Sequence, residues 1–431
     1  MGLMARRTKM RVAIQTLGTR GDVQPYIALA LGLISHGHEV QIAAPVQFDA
    51  MVRERGIAFA PLPGEFLALM DTPEGKAAIA GGRGFSAGLK LLKHVRPLMR
   101  RLLEEEWAAV KAFAPNVIVS HPKSIASPHM AEALARPFIL ASPLPGFTPT
   151  SAFPSPMLPF KTMGPLNRAS HALVIRGAEF LFGKLIRDWR EASLGLSARP
   201  RRTPTSSGTL YAYSPHVVPV PSDWDSTVLV SGYWFLDSEN WQPPDALASF
   251  LNAGEAPIYV GFGSMPGLDP QKTTAIIIQA LARAGKRGLL VSGGGALAAA
   301  ESTPANVHII AGAPHDKLFP NVRATIHHGG AGTTGASLRA GKPTAICPFF
   351  GDQPFWGRRV ADLGVGPPPL DRKALSVESV AAAIAAMDDP QMCERAAALG
   401  AAIRQENGIT AAVKFIEDKA AGMPLSSVSQ T

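Results

Sequence analysis

Mostly apolar runs separated by polar, glycine-containing turns dominate the start of the chain. Residues 10–16 predict a buried parallel strand, and a glycine-containing turn comes directly after it. Pro25 suits the first position of a helix, and Gly37 suits its end. Residues 39–44 predict a second strand. This strand, turn, helix, strand order is typical of a doubly wound α/β domain.

The same pattern begins again in the second half of the chain. Residues 257–262 predict a buried strand, and residues 270–284 predict a helix after a glycine turn. The sequence Trp-Gln-Pro-Pro at 241–244 predicts a linker between the halves. We therefore predict a first domain at 1–235, a linker at 236–250, a second domain at 251–423 and a disordered tail at 424–431. Two similar α/β domains indicate a ligand site in the cleft between them. Further strands are predicted at 117–119, 138–140, 288–291, 308–310, 325–327 and 343–347.

Seven prolines lie from Pro143 to Pro165. Proline lacks an N–H group, so this density excludes a helix or a central strand. The segment predicts a long loop. Loops of this length in a compact domain are usually functional or disordered.

Charge and cysteine usage restrict the class of partner. The formal net charge is +9 over 431 residues, which favours a nucleic acid, an anionic membrane or a phosphorylated ligand. The chain has neither zinc-finger spacing nor an RNP pattern, so we expect no nucleic-acid partner and place the membrane and the phosphate ligand first. Two cysteines cannot form a disulfide framework. The basic N-terminus lacks a following apolar run long enough for a secretion signal or a membrane span, which predicts a cytoplasmic protein.

A glycine-rich segment at 327–335, His-His-Gly-Gly-Ala-Gly-Thr-Thr-Gly, follows a predicted strand and opens a predicted helix. Glycine lets backbone N–H groups approach an anion closely, and a helix N-terminus favours negative charge. The segment therefore predicts a phosphate site. The alternative is a tight turn used only for packing, against which two imidazoles beside four small residues argue.

Four segments together resemble known enzymes. Residues 312–320, 327–334 and 348–356 resemble the donor-binding signature of UDP-sugar glycosyltransferases. The loop 17–25 is similar to the first loop of sterol glucosyltransferases and of the glycosyltransferases of glycopeptide antibiotics. The resemblance covers nearly the whole chain and is strongest over 257–366. It implies the GT-B fold, in which two Rossmann-like α/β domains face each other across a cleft, and transfer with inversion at the anomeric carbon.

The resemblance also implies roles in donor binding. His327 would donate a hydrogen bond to the diphosphate, and Asp352 and Gln353 would bind the sugar hydroxyls, with a solvated loop as the alternative. The backbone of Ala313 would contact the uracil, although Gly312 replaces the tryptophan on which uracil stacks in plant members. No cofactor is implied beyond the UDP-sugar, which is a co-substrate. The diphosphate would also contact Ser264, Gly330, Ala331, Gly332 and Thr333.

A general base is required, because the acceptor hydroxyl must lose a proton as it attacks the anomeric carbon. Asp22 is the only carboxylate or imidazole in the first loop, residues 15–23, and similarity to glycopeptide-type enzymes implies that it is the base. The alternative is that Asp22 caps the following helix. The helix dipole and Arg20 favour the ionised carboxylate, which is a weak base. His121, just after a predicted strand, is a candidate partner or substitute base, or a structural histidine.

The pair Asp223 and Asp225 forms an Asp-x-Asp sequence, a pattern that can bind Mg²⁺ or Mn²⁺. The pair lies in a proline-rich approach to the linker, and the chain already has a predicted diphosphate site. We interpret both aspartates as part of a solvated loop. No metal site is therefore predicted.

A basic segment at 83–103 holds six Lys or Arg residues and no acidic residue. Leu91, Val95, Leu98 and Leu102 recur in it at helical spacing. The segment predicts an amphipathic helix. Its apolar face either packs on the first domain or makes reversible contact with an anionic membrane, and the residues leave both open.

The sequence predicts an inverting, metal-independent transferase that moves a hexose from a UDP-sugar to a hydroxyl group of a hydrophobic acceptor. Glucose is the first candidate for the hexose. The apolar loop at 143–165 and the sterol-type resemblance favour a sterol, a lipid or a polyketide-like molecule. Two alternatives remain: a UDP-sugar epimerase of the same shape, which acts without an acceptor, and a nucleotide-sugar binding protein without turnover.

Overall fold

Two parallel β-sheets, one in each half of the chain, form the frame of the computed structural model. The structure describes residues 9–65, 84–198, 206–263, 265, 269–293, 295–298 and 303–422. Ser264 and the predicted tail at 424–431 lie outside the described residues. The first sheet has the order β3-β2-β1-β4-β5-β6-β7 and the second β10-β9-β8-β11-β12. The strands are β1 (Arg11–Gln15), β2 (Glu39–Pro45), β3 (Ala58–Leu62), β4 (Val117–Ser120), β5 (Phe138–Ser142), β6 (Gly208–Tyr211), β7 (Val228–Val230), β8 (Ile258–Gly261), β9 (Gly288–Val291), β10 (Val307–Ile310), β11 (Ala324–His327) and β12 (Thr344–Ile346).

Helices cover both faces of each sheet, as parallel sheets require. In the first half they are α1 (Arg20–Ser35), α2 (Asp49–Arg53), α3 (Gly84–Phe113), α4 (Ser127–Leu134) and α5 (Asn167–Leu194). In the second half they are α6 (Asp245–Asn252), α7 (Pro270–Arg283), α8 (His315–Leu318), α9 (Ala331–Arg339), α10 (Gln353–Asp362), α11 (Val377–Ala386), α12 (Pro390–Arg404) and α13 (Gly408–Ala421). Each strand predicted from the sequence is present, and β3, β6 and β7 are additional.

The strand order places a crevice at the carboxyl edge of each sheet. In the first sheet β1 pairs with β2 on one side and β4 on the other, so the chain reverses direction along the sheet there. In the second sheet β8 pairs with β9 and β11 in the same way. Ligands of open α/β sheets bind outside the strand ends at such switch points. The loops after β1, β4, β8 and β11 are therefore the expected site.

Helix α1 begins at Arg20, five residues before the predicted start at Pro25. The Asp22 carboxylate accepts a hydrogen bond from the Thr19 N–H group, 2.7 Å away, and so satisfies a backbone donor at the helix start. Pro25 lies inside the helix. The prediction from Pro25 was wrong because side-chain capping by Asp22 starts the helix earlier.

Two helices pack differently from the predicted division of the chain. Val413, Phe415 and Ile416 of α13 belong to the apolar core of the first sheet, although α13 follows the second domain in sequence. A Cβ atom at Gly32 of α1 would lie 2.2 Å from Ile409 Cγ2, so the close approach of α1 and α13 requires glycine there. Helix α6, which overlaps the end of the predicted linker, packs Leu247 into the second domain. The last helix therefore ties the second half back to the first.

The segment 143–163 has no regular secondary structure, which confirms the predicted loop. Helix α3 confirms the predicted amphipathic helix, and its Val95, Met99 and Leu102 are buried against the first sheet. The side chains of Lys90, Leu91 and Lys93 lie outside the described part of the structure. No helix among the described residues has the length and apolarity of a membrane span.

Candidate functional site

Asp22 lies in the first turn of α1, at the carboxyl edge of the first sheet. Its Oδ2 atom accepts hydrogen bonds from the Thr19 N–H at 2.7 Å and from the Thr19 hydroxyl at 3.1 Å. Its Oδ1 atom faces His121 Nε2 at 3.3 Å. The two residues that the sequence proposed for catalysis are thus in contact.

The His121 ring is held in one tautomer. The Lys123 N–H group donates to His121 Nδ1 at 3.1 Å, so the ring proton is on Nε2, which faces Asp22. Burial lowers the pKa of His121 despite the opposing effect of Asp22, so the ring is neutral near pH 7. Because Nε2 of this neutral ring already carries a proton, it cannot take the proton of the acceptor hydroxyl. In this arrangement the His121 ring holds the Asp22 carboxylate in place, and its part in catalysis remains a prediction.

Lys123 is a third member of this cluster, and it was missed from the sequence. Its ammonium group lies 2.8 Å from Asp22 Oδ2. Burial acts to raise the pKa of Asp22, but Lys123 and His121 outweigh it, and the pKa lies well below its usual range. Asp22 is therefore a carboxylate at neutral pH, as the sequence predicted, although Lys123 and not Arg20 is the cation that contributes. Only the short spacing from His121 could have indicated Lys123.

The glycine-rich segment joins β11 to α9, as predicted. Gly330 is the N-cap of α9, and the first-turn N–H groups of Ala331, Gly332 and Thr333 are those that a helix leaves without internal partners. A Cβ atom at Gly332 would meet no atom within 4 Å, so the turn is open on that side. This is the geometry of an anion site at a helix N-terminus.

Two histidines lie beside this turn. His327 Nδ1 accepts from the Gly329 N–H at 3.0 Å, and its buried Nε2 has no partner among the described residues. His328 packs against the turns on both sides: a Cβ atom at Gly263 would lie 2.9 Å from its ring, and one at Gly330 would lie 2.5 Å from its Nε2. Burial lowers the pKa of His328 to about 4 and that of His327 well below its usual range. Both rings are neutral at pH 7. Each can therefore donate a hydrogen bond to an anion, but neither carries a positive charge.

Asp352 and Gln353 lie at the start of α10. The Trp356 indole N–H donates to Asp352 Oδ2 at 2.7 Å. The Gln353 side chain is buried, and its oxygen accepts from the N–H groups of Phe349 and Phe350 at 2.6 and 3.2 Å. The amide nitrogen of Gln353 donates to Met265 Sδ at 3.4 Å, so its second N–H is the group that a sugar hydroxyl could contact without breaking this turn.

The sites of the two domains face each other. Burial raises the pKa of Asp352, and the negative charge of Asp22 raises it further. Burial lowers the pKa of His315 to about 4, and the positive charge of Arg20 contributes. The start of α1 is therefore close enough to the loop after β10 and to the start of α10 for their charges to interact across the cleft. The structure thus brings the predicted base close to the predicted sugar site.

Helix α10 also contacts the proline-rich loop of the first domain. The Arg358 guanidinium donates to the carbonyl oxygens of Pro159 and Phe160, both at 3.2 Å, and Lys161 pairs with Asp362 at 3.0 Å. One helix therefore carries Asp352 at one end and holds the loop at the other.

The carboxylates of Asp223 and Asp225 are engaged by neighbouring residues of the protein. Asp223 accepts from the hydroxyl groups of Thr150 and Ser151 at 2.7 and 2.9 Å, and Asp225 accepts from the Thr227 N–H at 2.8 Å. Asp223 thereby anchors the proline-rich loop. Among the described residues, no group of three or more His, Cys, Asp or Glu side chains could hold a metal ion.

Ala313 is half-buried in the loop after β10, next to Gly312. A Cβ atom at Gly312 would meet no atom within 4 Å, so there is open space where plant members have tryptophan. The contact between the Ala313 backbone and uracil stays a prediction.

Comparison with known proteins agrees with this geometry. Residues 12–154 match the glycosyltransferase family 28 N-terminal domain, and residues 289–414 match the erythromycin biosynthesis protein CIII-like C-terminal domain. A sterol 3-beta-glucosyltransferase of Arabidopsis thaliana is 37% identical over 420 residues, which are 94% of this chain and 67% of that protein. A sterol 3-beta-glucosyltransferase of Aspergillus fumigatus is 38% identical over 425 residues, 94% of this chain and 30% of that protein. The solved glycotransferase of kitacinnamycin superposes with a TM-score of 0.71 at 19% identity, over 96% of this chain and 100% of that one.

The two facing parallel sheets and these matches define a glycosyltransferase of the GT-B fold, which confirms the fold class inferred from the sequence. Within that class, the chain belongs to the family of the sterol 3-beta-glucosyltransferases. It spans about two thirds of the plant relative and less than one third of the fungal one.

Proposed function

We propose that the protein transfers a hexose from a UDP-sugar to a hydroxyl group of a hydrophobic acceptor, with inversion at the anomeric carbon. The observation that carries the proposal is the position of Asp22, which contacts His121 at 3.3 Å and Lys123 at 2.8 Å at the carboxyl edge of the first sheet, where its charge acts on Asp352 at the start of α10. In the proposed reaction Asp22 of the first domain is the base, and Asp352 of the second domain binds the sugar. The names of the relatives support glucose as the hexose and a sterol-like molecule as the acceptor.

The reaction follows from this placement. The acceptor oxygen bonds to the anomeric carbon as its proton passes to Asp22, and the bond from that carbon to the diphosphate oxygen breaks. UDP leaves with the bonding electron pair, and attack from the face opposite UDP inverts the configuration. The N-terminus of α9 stabilises the negative charge that develops on the diphosphate. His327 adds a neutral N–H donor.

The test is incubation with UDP-glucose and a panel of sterols, lipids and polyketides. We expect mass spectrometry to show a hexosylated product and NMR to show a β-glycosidic bond from the α-linked donor. Interconversion of UDP-sugars without an acceptor would instead indicate an epimerase. Donor binding without turnover on any acceptor would indicate a binding protein.

We propose that transfer needs no metal ion, because α9 offers backbone N–H groups at the diphosphate position and Asp223 and Asp225 are engaged in loop contacts. Activity should then survive EDTA. Loss of activity in EDTA that Mn²⁺ or Mg²⁺ restores would contradict this.

We propose a cytoplasmic enzyme that contacts an anionic membrane reversibly. Both cysteines are unpaired, which suits a reducing compartment. Arg96 and Arg100 of α3 are exposed, but Val95 and Leu102 are buried in the core. The basic face of α3 is therefore available to a membrane, whereas the apolar contact must come from a neighbouring element.

A further inference from the structure

Lys123 touches the proposed base, yet the reaction as described gives it no role. It follows β4 in the turn His121-Pro122-Lys123-Ser124, which the Ser124 N–H closes by donating to the His121 carbonyl oxygen at 3.0 Å. Because β1 and β4 are adjacent parallel strands, the turn lies beside the loop that carries Asp22. The topology thus puts a cation at the candidate active site.

The two oxygens of Asp22 are unequal. Oδ2 is held by the Thr19 N–H, the Thr19 hydroxyl and the Lys123 ammonium group, while the described contact of Oδ1 is His121 at 3.3 Å. A carboxylate offers about two lone-pair directions on each oxygen. Oδ1 is therefore the oxygen with capacity left for an acceptor hydroxyl.

The backbone is built closely around this ion pair. Gly18 has φ of +128°, and a Cβ atom there would lie 2.2 Å from Asp22 Oδ2 and 2.7 Å from Lys123 Nζ. Only glycine fits such a conformation and such an approach. The Lys123 side chain is 51% exposed and that of Asp22 17%, so the ammonium group keeps contact with water beside a mostly buried carboxylate.

We propose that Lys123 is a positioning residue of the transfer reaction, which fixes Asp22 through Oδ2 so that Oδ1 receives the acceptor proton. This role rests on the proposed transferase function. After proton transfer Asp22 is a neutral carboxylic acid and must release its proton to water before the next turnover. The ammonium group favours that loss, because it stabilises the carboxylate. Lys123 thus orients the base and restores it.

The test compares Lys123→Met with Lys123→Arg, which keeps the charge, and with Lys414→Met. Lys414 forms an exposed pair with Asp418 at 3.1 Å on α13, so its variant removes a comparable pair away from the site. We expect Lys123→Met to lower kcat by about tenfold to a hundredfold, as misplacement of a reacting group does. UDP affinity, measured by calorimetry, should stay unchanged.

A pH profile separates positioning from a merely structural role. The charged and titratable groups that face Asp22 are Lys123, His121, Tyr26 and, across the cleft, Asp352. Of these, Lys123 is the cation that lowers the pKa of Asp22, so its loss should raise that pKa and bring the acidic limb of kcat/KM up towards the pH range of the assay. Lys123→Arg should restore the limb, and Lys414→Met should not move it.

Two outcomes overturn the inference, and they are distinguishable. Transfer by the wild type with an unmoved acidic limb in Lys123→Met removes the role of Lys123 and leaves the proposed function intact. Absence of transfer by the wild type on every acceptor removes the proposed function and this role with it.

Discussion

The position of Asp22 is compatible at once with the two roles that the sequence posed as alternatives, the helix cap and the proposed base. Its Oδ2 accepts from the Thr19 N–H and caps α1, while its Oδ1 faces His121 at the cleft. The cap fixes the carboxylate, so the structural role prepares the chemical one. The cost is a weak base, because the same contacts hold the pKa of Asp22 low.

Asp22→Asn should lower kcat by about two to four powers of ten, because general base catalysis is lost. The amide keeps the size of the side chain and an oxygen that can cap α1, so UDP affinity should hardly change. Enzyme assays and calorimetry measure both. Asp225→Asn is the control, since the described hydrogen bonds of the Asp225 carboxylate come from Thr227 in its own loop. Turnover near that of the wild type in Asp22→Asn would show that another group, or solvent, accepts the proton.

His327→Ala should weaken UDP binding by roughly tenfold to a hundredfold, because a hydrogen bond to a charged group contributes about 1.5–3 kcal/mol. Its Nε2 is a buried donor that no described residue accepts from. His328→Ala is the matched variant, as its ring lies next to Gly263 and Gly330. Calorimetry on both assigns the contact. Weakening in His328→Ala alone would transfer the diphosphate contact to His328.

At the scale of elements, α3 supports the turn that carries His121 and Lys123. Glu106 of α3 is fully buried, and its carboxyl group accepts a hydrogen bond from the Ser124 hydroxyl, which contacts Ser127 at 2.7 Å. Burial raises the pKa of Glu106 to about 8, although Ser124 opposes the shift. A protonated, neutral acid therefore lies beneath the candidate site at neutral pH.

Glu106 should make the free energy of unfolding fall as pH rises from about 4.5 to 8. Over that range the unfolded chain releases the Glu106 proton while the folded protein keeps it. Rising pH therefore stabilises the unfolded state relative to the folded state. The slope has an upper limit of about 1.4 kcal/mol per pH unit. Glu106→Gln should remove this contribution, as urea unfolding at pH 5 and pH 8 would measure.

Glu105→Gln is the control for that experiment, because Glu105 lies on the same helix and pairs with Arg101 at the surface. If Glu106→Gln shows the same pH dependence as the wild type, Glu106 is ionised in the folded protein. The turn that holds His121 would then carry a buried charge.

At the scale of the whole molecule, the pattern of apolar and polar residues was enough to predict the strands and the glycine-containing turns. Buried parallel strands can be recognised in this way because they are short apolar runs in the sequence. The switch-point loops then follow from the strand order, which places Asp22 and the glycine-rich segment at one cleft. The return of α13 could not be predicted, because the fit of Gly32 to Ile409 joins residues far apart in sequence. The contact of Lys123 with Asp22 is of the same kind, since it depends on the pairing of β1 with β4.

The proposed membrane contact also depends on the assembled surface. Helix α5 packs Trp189 into the core, while Leu173 and Phe180 on its other side are 67% and 87% exposed. Their spacing of seven residues puts both on one face of the helix. Farther along the same helix, Asp188 interacts with Lys184, Arg187 and Arg100 of α3. Helix α5 thus has an exposed apolar strip, and basic residues of α3 and α5 lie close to each other farther along it.

We expect the protein to bind anionic vesicles at low salt and to leave them as salt rises, because each basic residue contributes about 1 kcal/mol that salt screens. Leu173→Glu with Phe180→Glu should abolish binding in vesicle sedimentation and spare activity on acceptors dispersed in solution. Val46→Glu is the control, since Val46 is 51% exposed and lies after β2 on another part of the surface. Binding that survives the double variant would exclude this strip. A wild type that ignores anionic vesicles would instead leave α3 as a packed helix with a solvated basic face, and the acceptor would have to reach the loop at 143–163 from solution.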